Sequence, residues 1–197
     1  MGLGIFIEPD GELQQFILSC KERMKKLDPH AIYLTHPPHL TLVHTNVPYT
    51  DTLQSKLEGQ IRKDGPFVIQ VKQFHVFEND PLAENMNTLT LLVEQNELLF
   101  QLQVIVASAI RQSLCAAFVK RDFPTVEMNN SYKLYGFPFV GDHWIPHFTI
   151  GSTRQSVIDE MNSESLTHPL EYSQIINQIS VWNIDKDSHT KIETIRF

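Results

Sequence analysis

The sequence is poor in cysteine, in glycine-rich segments and in positive charge. Cys20 and Cys115 are too few for a disulfide framework or a zinc site, and both lie in apolar, helix-like stretches where we expect reduced core thiols. The eight glycines are scattered, so the sequence contains no glycine loop of the kind that cradles phosphate. The formal net charge of −7 argues against a broad basic surface for nucleic acid. A phosphate-bearing ligand should therefore be small or held by a local site.

Long hydrophobic runs are also absent. No apolar stretch approaches the roughly 18 residues of a membrane span. The apolar start of the chain is too short for a signal peptide and is followed by Glu8. We therefore expect a cytoplasmic monomer with no membrane partner. The 197 residues, 42% hydrophobic and 20% charged, are typical of a single globular domain spanning 1–197.

Hydrophobic periodicity predicts interleaved helices and strands. We expect helices over residues 11–27, 50–62, 96–118 and 153–161, and a loop-rich region over 120–143. We expect strands over 3–8, 39–44, 67–77, 88–93, 144–150, 175–184 and 190–197, with Asp185-Lys186-Asp187 as the last turn. The first helix carries a basic cluster predicted to face solvent: Lys21, Arg23, Lys25 and Lys26. The mixture predicts an α+β fold built on antiparallel sheet.

One short string occurs twice, about a hundred residues apart. Pro38-His39-Leu40-Thr41-Leu42 matches Pro146-His147-Phe148-Thr149-Ile150, and both copies fall in predicted strands. Alternate residues of a strand share a face, so the His and Thr of each copy should project together while the apolar residues enter the core. By the same alternation, His44 should lie on the face opposite His39 if the strand runs straight.

Two imidazoles and two hydroxyls suit phosphoryl transfer without a metal. A neutral imidazole can take a proton from the attacking oxygen, and a protonated one can supply a proton to the leaving oxygen, because the pKa of histidine lies near neutrality. Threonine hydroxyls can donate to the non-bridging phosphate oxygens. The alternative is purely structural: two edge strands whose prolines mark the strand starts.

The duplicated string, together with its placement along the chain, resembles the 2H phosphoesterase superfamily. Its members include bacterial RNA 2′,5′-ligase-like proteins, plant and fungal cyclic phosphodiesterases, and relatives that cleave 2′,5′-oligoadenylate. The resemblance covers most of the chain in outline and implies a bilobal fold, with two antiparallel-sheet lobes and flanking helices related by a pseudo-twofold about a central cleft. It also implies a metal-independent phosphodiesterase without cofactors, in which His39 and His147 are the acid–base pair and Thr41 and Thr149 hold the phosphate.

The substrate implied by this resemblance is a 2′,3′-cyclic or 2′-linked phosphate of a nucleotide or short RNA. Candidate substrate-binding residues near the second copy are aromatic residues that could stack a base, a histidine at the cleft mouth and two cations that could neutralise a further phosphate: Tyr135, Phe137, Trp144, His143, Lys133 and Arg154. Tyr135 and Phe137 flank Gly136 and are predicted to share a face.

Two alternative interpretations are a zinc site and a nucleotide-binding protein without catalytic activity. His36 and His39 would suggest zinc, but Pro37-Pro38 between them excludes a helix and no nearby carboxylate or cysteine completes a ligand set. A protein that holds a nucleotide or RNA end in the same cleft without turnover remains the alternative to an enzyme. Replacing either motif histidine by alanine distinguishes these two functions.

Overall fold

The computed structural model describes residues 2–61, 65–113, 121–165, 170–185 and 188–197. Within these ranges the chain forms eight strands and five helices. In chain order they are β1 (Gly2–Ile7), α1 (Gly11–Leu27), β2 (Leu40–Thr45), α2 (Asp51–Ile61), β3 (Phe67–Asp80), β4 (Met86–Val93), α3 (Glu97–Arg111), α4 (Val126–Tyr135), β5 (His147–Thr153), α5 (Gln155–Ser165), β6 (Tyr172–Ile176), β7 (Gln178–Asp185) and β8 (Ser188–Arg196). None of the described helices is long and apolar enough to span a membrane.

The strands form one antiparallel sheet that divides into two equivalent halves. The strand order is β6-β3-β4-β5-β2-β1-β7-β8, so β5 and β2 meet at the centre with three strands outside each. The join is narrow, because β2 and β5 share a single registered pair, Leu40 with Phe148. The sheet therefore has the α+β, two-lobed arrangement expected from the sequence.

Helices cover one face of the sheet, and two of them, α1 and α3, are exchanged between the halves. The chain enters α1 from β1, yet α1 packs on β5 and β6 of the other half. Conversely, α3 follows β4 but packs on β2. Leu40 and Phe148, both fully buried, join one continuous core with the apolar stripes of these helices, including Ile17 and Met24 of α1. The opposite face of the sheet remains open at its centre.

The sequence-based expectations fail in two places. Residues 126–135, predicted to be loop, form α4, because the Thr125 side chain accepts a hydrogen bond from the backbone of Met128 and Gly136 ends the helix at a left-handed φ of 69°. The predicted strand 175–184 is two strands, β6 and β7, which pair with β3 and β1 respectively. Residues 62 and 114–118 of the predicted helices, Lys186 and Asp187 of the turn, and Cys115 lie outside the described residues.

Cys20 is buried and free, as expected. Burial raises the pKa of its thiol to about 11, partly offset by a hydrogen bond to Ser19 and the charge of Arg23. The thiol is therefore protonated at neutral pH and is not a nucleophile.

The N-terminal cap of α4 can be tested by replacing Thr125 with alanine. Loss of the side-chain acceptor should lower the free energy of unfolding by about 1 kcal/mol. Asn130→Ala, an exposed position of the same helix, is the matched control and should leave stability unchanged or slightly higher. Urea unfolding measures both, and equal midpoints for the two variants would contradict the cap.

Candidate active site

The narrow join at the centre of the sheet brings the two copies of the repeated string side by side. Since β2 and β5 are antiparallel and pair Leu40 with Phe148, the same register sets His39 opposite Thr149 and Thr41 opposite His147. The two histidines are then diagonal neighbours, and their Cα atoms are roughly 7–8 Å apart. One phosphate group placed between them can contact both rings.

Burial follows the alternation expected from the sequence. The apolar members of the strings, Leu40, Leu42, Phe148 and Ile150, are fully buried beneath the helices. The histidines and threonines are half-buried on the open face. The core therefore fixes the backbone of each string while the polar side chains stay accessible.

Each imidazole is held by its own backbone. Nδ1 of His39 lies 2.7 Å from the carbonyl oxygen of Pro37, and Nδ1 of His147 lies 2.7 Å from that of Ile145. A carbonyl can only accept, so Nδ1 carries the proton and donates. The residue before a proline is restricted to extended backbone, which explains why Pro38 and Pro146 precede the histidines: they fix the carbonyl that orients the ring. Nε2 of both rings has no protein partner among the described residues.

The two strings also share a β-bulge after the threonine. The pairing of β2 with β1 passes over Leu42, and the pairing of β5 with β4 passes over Ile150, the equivalent residue. Each bulged carbonyl receives a hydrogen bond from a buried helical side chain: Gln103 Nε2 of α3 reaches Leu42 at 3.2 Å, and Lys21 Nζ of α1 reaches Ile150 at 3.0 Å. The backbone beyond both histidines is therefore fixed by equivalent contacts.

Lys21 corrects the prediction that the basic cluster faces solvent. Its side chain is 4% exposed because it crosses beneath the sheet, where Nζ also donates to the carbonyl of Tyr33 at 2.7 Å. Burial lowers the pKa of Lys21 to about 8. Lys25 and Lys26 of the same helix are exposed, as predicted.

The bulge at Leu42 also changes the position of His44. Leu42 and Val43 are both buried, so the alternation shifts by one residue and His44 is exposed on the same open face as Thr41. The prediction that His44 lies opposite His39 is wrong, because it assumed a straight strand.

Aromatic and histidine rings surround His39. Phe6 of β1 stacks on its imidazole, with ring centroids 4.1 Å apart. The Phe6 ring lies across Gly4, where any Cβ would collide with it, so glycine is required at that position. His189 of β8 lies 6.3 Å from the His39 ring, and His36 lies 4.2 Å from His189.

The surroundings of His147 differ in charge. Phe77 of β3 meets its ring edge-on at 5.0 Å, and His75 meets Phe77 at 4.7 Å. A carboxylate, Asp80, acts electrostatically on His147. The backbone around the two histidines is thus symmetric, whereas the electrostatic surroundings are not.

Burial and these charged neighbours both act on the pKa values of the two rings. Burial lowers the pKa of His39 from 6.5 to about 3; the hydrogen bond to Pro37 opposes this, while His36, Lys21 and His189 add to the lowering. Burial also lowers the pKa of His147, but the hydrogen bond to Ile145 and the charge of Asp80 raise it, against a smaller lowering by His75. Asp80 thus favours protonation of His147, whereas no carboxylate is among the described groups that act on His39.

The threonine hydroxyls of the strings are available to a ligand. Within the described ranges, neither Thr41 nor Thr149 uses its hydroxyl in a protein hydrogen bond. By contrast, the hydroxyls of Thr88 and Thr90 on β4 bond to Asp80 and to a backbone carbonyl, and that of Thr153 at the end of β5 bonds to Asp28.

The structure does not bring the other predicted substrate-binding residues to this site. Lys133 is exposed on α4. Tyr135 ends that helix, and Phe137 is buried against Phe139 beyond the Gly136 cap. Nε2 of His143 lies 2.7 Å from the carbonyl of Pro138, a contact that organises the loop after α4.

Trp144 and Arg154 likewise have other positions. Trp144 is 5% exposed, packs edge-on against Phe100 at 5.3 Å, and donates from Nε1 to the carbonyl of Thr41 at 3.2 Å. It therefore ties the segment before His147 to β2. Arg154 is exposed beyond the end of β5, roughly 20 Å along the strand from His147. Substrate binding by these six residues remains a prediction without support from the geometry.

Sequence reasoning missed Phe6, Phe77 and the clustering of His36 with His189, because these contacts depend on which strands are neighbours. The zinc reading of His36 and His39 gains no support: within the described ranges, no group of three or more His, Cys, Asp or Glu side chains is placed to hold a metal ion.

Comparison with known proteins gives a consistent picture of the fold. The model of the 2′-5′ RNA ligase superfamily matches residues 9–188. One similar solved structure is TT0787 of Thermus thermophilus, with a TM-score of 0.61 and 13% identity over 100% of this chain and 97% of that one. Another is E. coli LigT in complex with 3′-AMP, with a TM-score of 0.55 and 16% identity over 99% of this chain and 96% of that one. Usb1 of Kluyveromyces marxianus is also similar, with a TM-score of 0.51 and 15% identity over 100% of this chain and 98% of that one. No curated protein sequence matches the chain at a significant level.

The lowered pKa of His39 should make stability depend on acid. Below its usual pKa of 6.5 the unfolded ring takes up a proton, whereas the folded ring does so only near pH 3. Its contribution is therefore complete above pH 6.5 and is lost as the pH falls. We expect the free energy of unfolding to decrease between about pH 6.5 and 4.5 and the decrease to be smaller in His39→Asn, which keeps a donor for Pro37 but cannot be protonated. Urea unfolding at several pH values measures this.

The control for that experiment is His30→Asn, an exposed histidine outside the site, which should keep the wild-type pH dependence. An unchanged slope in His39→Asn would show that the ring is protonated equally easily in the folded and unfolded chain.

Trp144→Phe tests whether this residue joins the two strands or binds substrate. The variant keeps an aromatic ring against Phe100 but removes the N–H group that donates to the carbonyl of Thr41. The free energy of unfolding should therefore fall by about 1 kcal/mol, while the KM for a nucleotide substrate should be unchanged. A raised KM with unaltered stability would instead favour the substrate-binding prediction.

Proposed function

Because this chain belongs to the 2′-5′ RNA ligase superfamily, the 2H phosphoesterases, we propose that it is a metal-independent phosphodiesterase acting through its two His-x-Thr strings. The observation that carries the proposal is the paired geometry at the centre of the sheet. Two imidazoles with their Nδ1 atoms bonded to backbone and their Nε2 atoms unpartnered lie diagonally across one registered strand pair.

The electrostatic asymmetry assigns different roles to the histidines. His39 stacks on Phe6, and burial lowers its pKa to about 3, so it is neutral at physiological pH and acts as the general base. Asp80 raises the pKa of His147 against the lowering by burial, and a bound phosphate raises it further, so we propose His147 as the general acid.

The proposed step is hydrolysis of a phosphodiester. Nε2 of His39 accepts a proton from water as the water oxygen forms a bond to phosphorus. The bond between phosphorus and the ribose oxygen breaks, and the leaving oxygen takes the proton from Nε2 of His147. Thr41 and Thr149 donate to the non-bridging oxygens, on which charge accumulates in the transition state. The product is a phosphate monoester, and a second proton exchange with solvent restores both rings.

The substrate class we propose is a 2′,3′-cyclic or 2′-linked phosphate of a nucleotide or short oligonucleotide. E. coli LigT, which shares the fold at low identity, has been solved with NADP⁺, ATP, 3′-AMP and phosphate. An acidic chain with a local rather than an extended positive site suits a small substrate of this kind.

Replacing the histidines tests catalysis directly. In excess EDTA, wild-type protein should hydrolyse 2′,3′-cyclic AMP, and His39→Ala and His147→Ala should each lower kcat by roughly 10²–10⁴-fold because general acid–base catalysis is lost. Phosphorus NMR or chromatography of the products measures turnover. His30→Ala is the matched control and should retain full activity. Full turnover in both site variants would contradict the assignment, and nucleotide binding without turnover in the wild type would favour a binding protein.

A substrate with a different leaving group distinguishes the role of His39 from that of His147. A 4-nitrophenyl phosphodiester has a leaving group that needs no proton, so it should restore much of the rate of His147→Ala but not of His39→Ala. The pH profile of kcat/KM should likewise keep its acidic limb in His147→Ala, since that limb reports the base. Rescue of His39→Ala alone would reverse the assignment.

A further inference from the structure

Two buried polar side chains lie beneath the centre of the sheet and take no direct part in the catalysis proposed above. Lys21 of α1 is 4% exposed, and Gln103 of α3 is fully buried. Because α1 packs on β5 and α3 packs on β2, each of these side chains lies close to the strand of one repeated string. Polar groups are costly to bury, so their hydrogen bonds show what holds them there.

Lys21 connects the strand of the second string to the segment that leads to the first. Its Nζ donates to the bulged carbonyl of Ile150 in β5 at 3.0 Å and to the carbonyl of Tyr33, between α1 and the first string, at 2.7 Å. The same segment is joined to β5 by two backbone hydrogen bonds between Ile32 and Ser152, at 2.9 and 3.0 Å. The approach to the first string is therefore attached to the strand of the second.

Gln103 makes the reciprocal connection. Its Nε2 donates to the bulged carbonyl of Leu42 in β2 at 3.2 Å and to the carbonyl of Phe139 at 2.8 Å. Its Oε1 accepts from the backbone N–H of Gly141 at 3.2 Å. Phe139 and Gly141 belong to the segment that leads to the second string, so the approach to the second string is attached to the strand of the first.

The two approach segments have the same local form at these attachment points. Tyr33 and Gly141 both have left-handed backbone, with φ of 69° and 79°. The carbonyl of Tyr33 accepts from the N–H of His36 at 3.2 Å, and that of Gly141 accepts from the N–H of Trp144 at 2.9 Å, so each begins a turn. The residue after each turn supplies the carbonyl that accepts from the histidine Nδ1. Since a left-handed φ is unfavourable for tyrosine, the first turn depends on contacts such as that of Lys21.

We propose that Lys21 and Gln103 are positioning residues that couple the two histidines of the site to each other. Each connects the turn that orients one ring to the strand of the other string, so the two contacts together set the position of His39 relative to His147. This inference rests on the proposed function, since it concerns the alignment of an acid and a base across one phosphate. It goes beyond support of the bulges, because loss of either side chain should disturb both rings.

Such coupling is needed because the join between the halves is narrow. A single registered pair, Leu40 with Phe148, connects β2 to β5, and this constrains the relative position of the halves less than a full ladder of hydrogen bonds would. A displacement of about 1 Å in a catalytic group can lower a rate about 100-fold. Contacts that cross the join from beneath therefore act directly on the alignment of the rings.

Turnover of 2′,3′-cyclic AMP by Lys21→Met and Gln103→Met tests the coupling. Methionine keeps an unbranched side chain in the core but cannot donate to the carbonyls. We expect kcat at pH 7 to fall by about 10- to 100-fold with a much smaller change in KM, because misalignment affects the transition state more than substrate binding. Lys25→Met and Gln101→Met, at exposed positions of the same helices, are the matched controls and should keep the wild-type kcat.

Lys21→Gln distinguishes the hydrogen bonds of Lys21 from its charge. The variant presents from α1 the amide that Gln103 presents from α3, without the positive charge. It should recover most of the kcat lost in Lys21→Met. If Lys21→Gln were as slow as Lys21→Met, the ammonium charge rather than the connection would be responsible, and the positioning role of Lys21 would be wrong.

The imidazole signals in proton–nitrogen NMR spectra, recorded without substrate, test the coupling independently of turnover. Gln103→Met changes no charge, yet it should shift the ring signals of both His39 and His147, whereas Gln101→Met should shift neither. Urea unfolding of the same variants measures any loss of stability. Shifts confined to one ring, or lower stability with unchanged kcat, would overturn the proposal. An inactive wild-type protein would contradict the proposed function, whereas shifts of both rings in Gln103→Met would still support the coupling.

Discussion

The hydrogen bond from each Nδ1 to the carbonyl two residues earlier is the contact on which the proposed chemistry depends. An imidazole on a strand would otherwise choose between rotamers and between tautomers. The proline between donor and acceptor positions removes both choices, because it fixes the carbonyl of Pro37 or Ile145 and that carbonyl accepts only from Nδ1–H. In each ring, Nδ1 is therefore bonded to the protein, and Nε2 has no partner among the described residues.

Symmetric backbone and asymmetric surroundings act at different levels of the structure. The bulges at Leu42 and Ile150 give the two strings the same local backbone conformation. The bulged carbonyl of each accepts a hydrogen bond from a buried helical side chain, Gln103 of α3 or Lys21 of α1. The charged neighbours that modify the pKa values beyond the effect of burial come from the outer strands and loops, where the two halves differ: His36 and His189 on one side, Asp80 on the other. In the proposed reaction, this difference accompanies the opposite proton transfers of two histidines with equivalent backbone.

Much of the fold was predictable where local pattern decides it, as for helix 11–27 and for both repeated strings. The failures have specific physical causes. Helix α4 buries little, only Ser131 and Tyr132, so its caps were a better signal than its periodicity. His44 and Lys21 were misplaced because a bulge and a buried carbonyl cannot be read from alternation. Trp144 precedes the second string, but its partner, the carbonyl of Thr41, is 103 positions away.

The exchange of helices between the halves has a consequence for how the chain acquires its structure. The sheet divides evenly between β2 and β5. Helix α1 packs on the half made of β3 to β6 but is synthesised before any of those strands. Helix α3 packs on the half that contains β1 and β8 but is synthesised between β4 and β5 of the other half. Neither half has a complete core by itself. The two halves must therefore fold as one cooperative unit, with many contacts between residues far apart in sequence, which is the condition under which folding is slow.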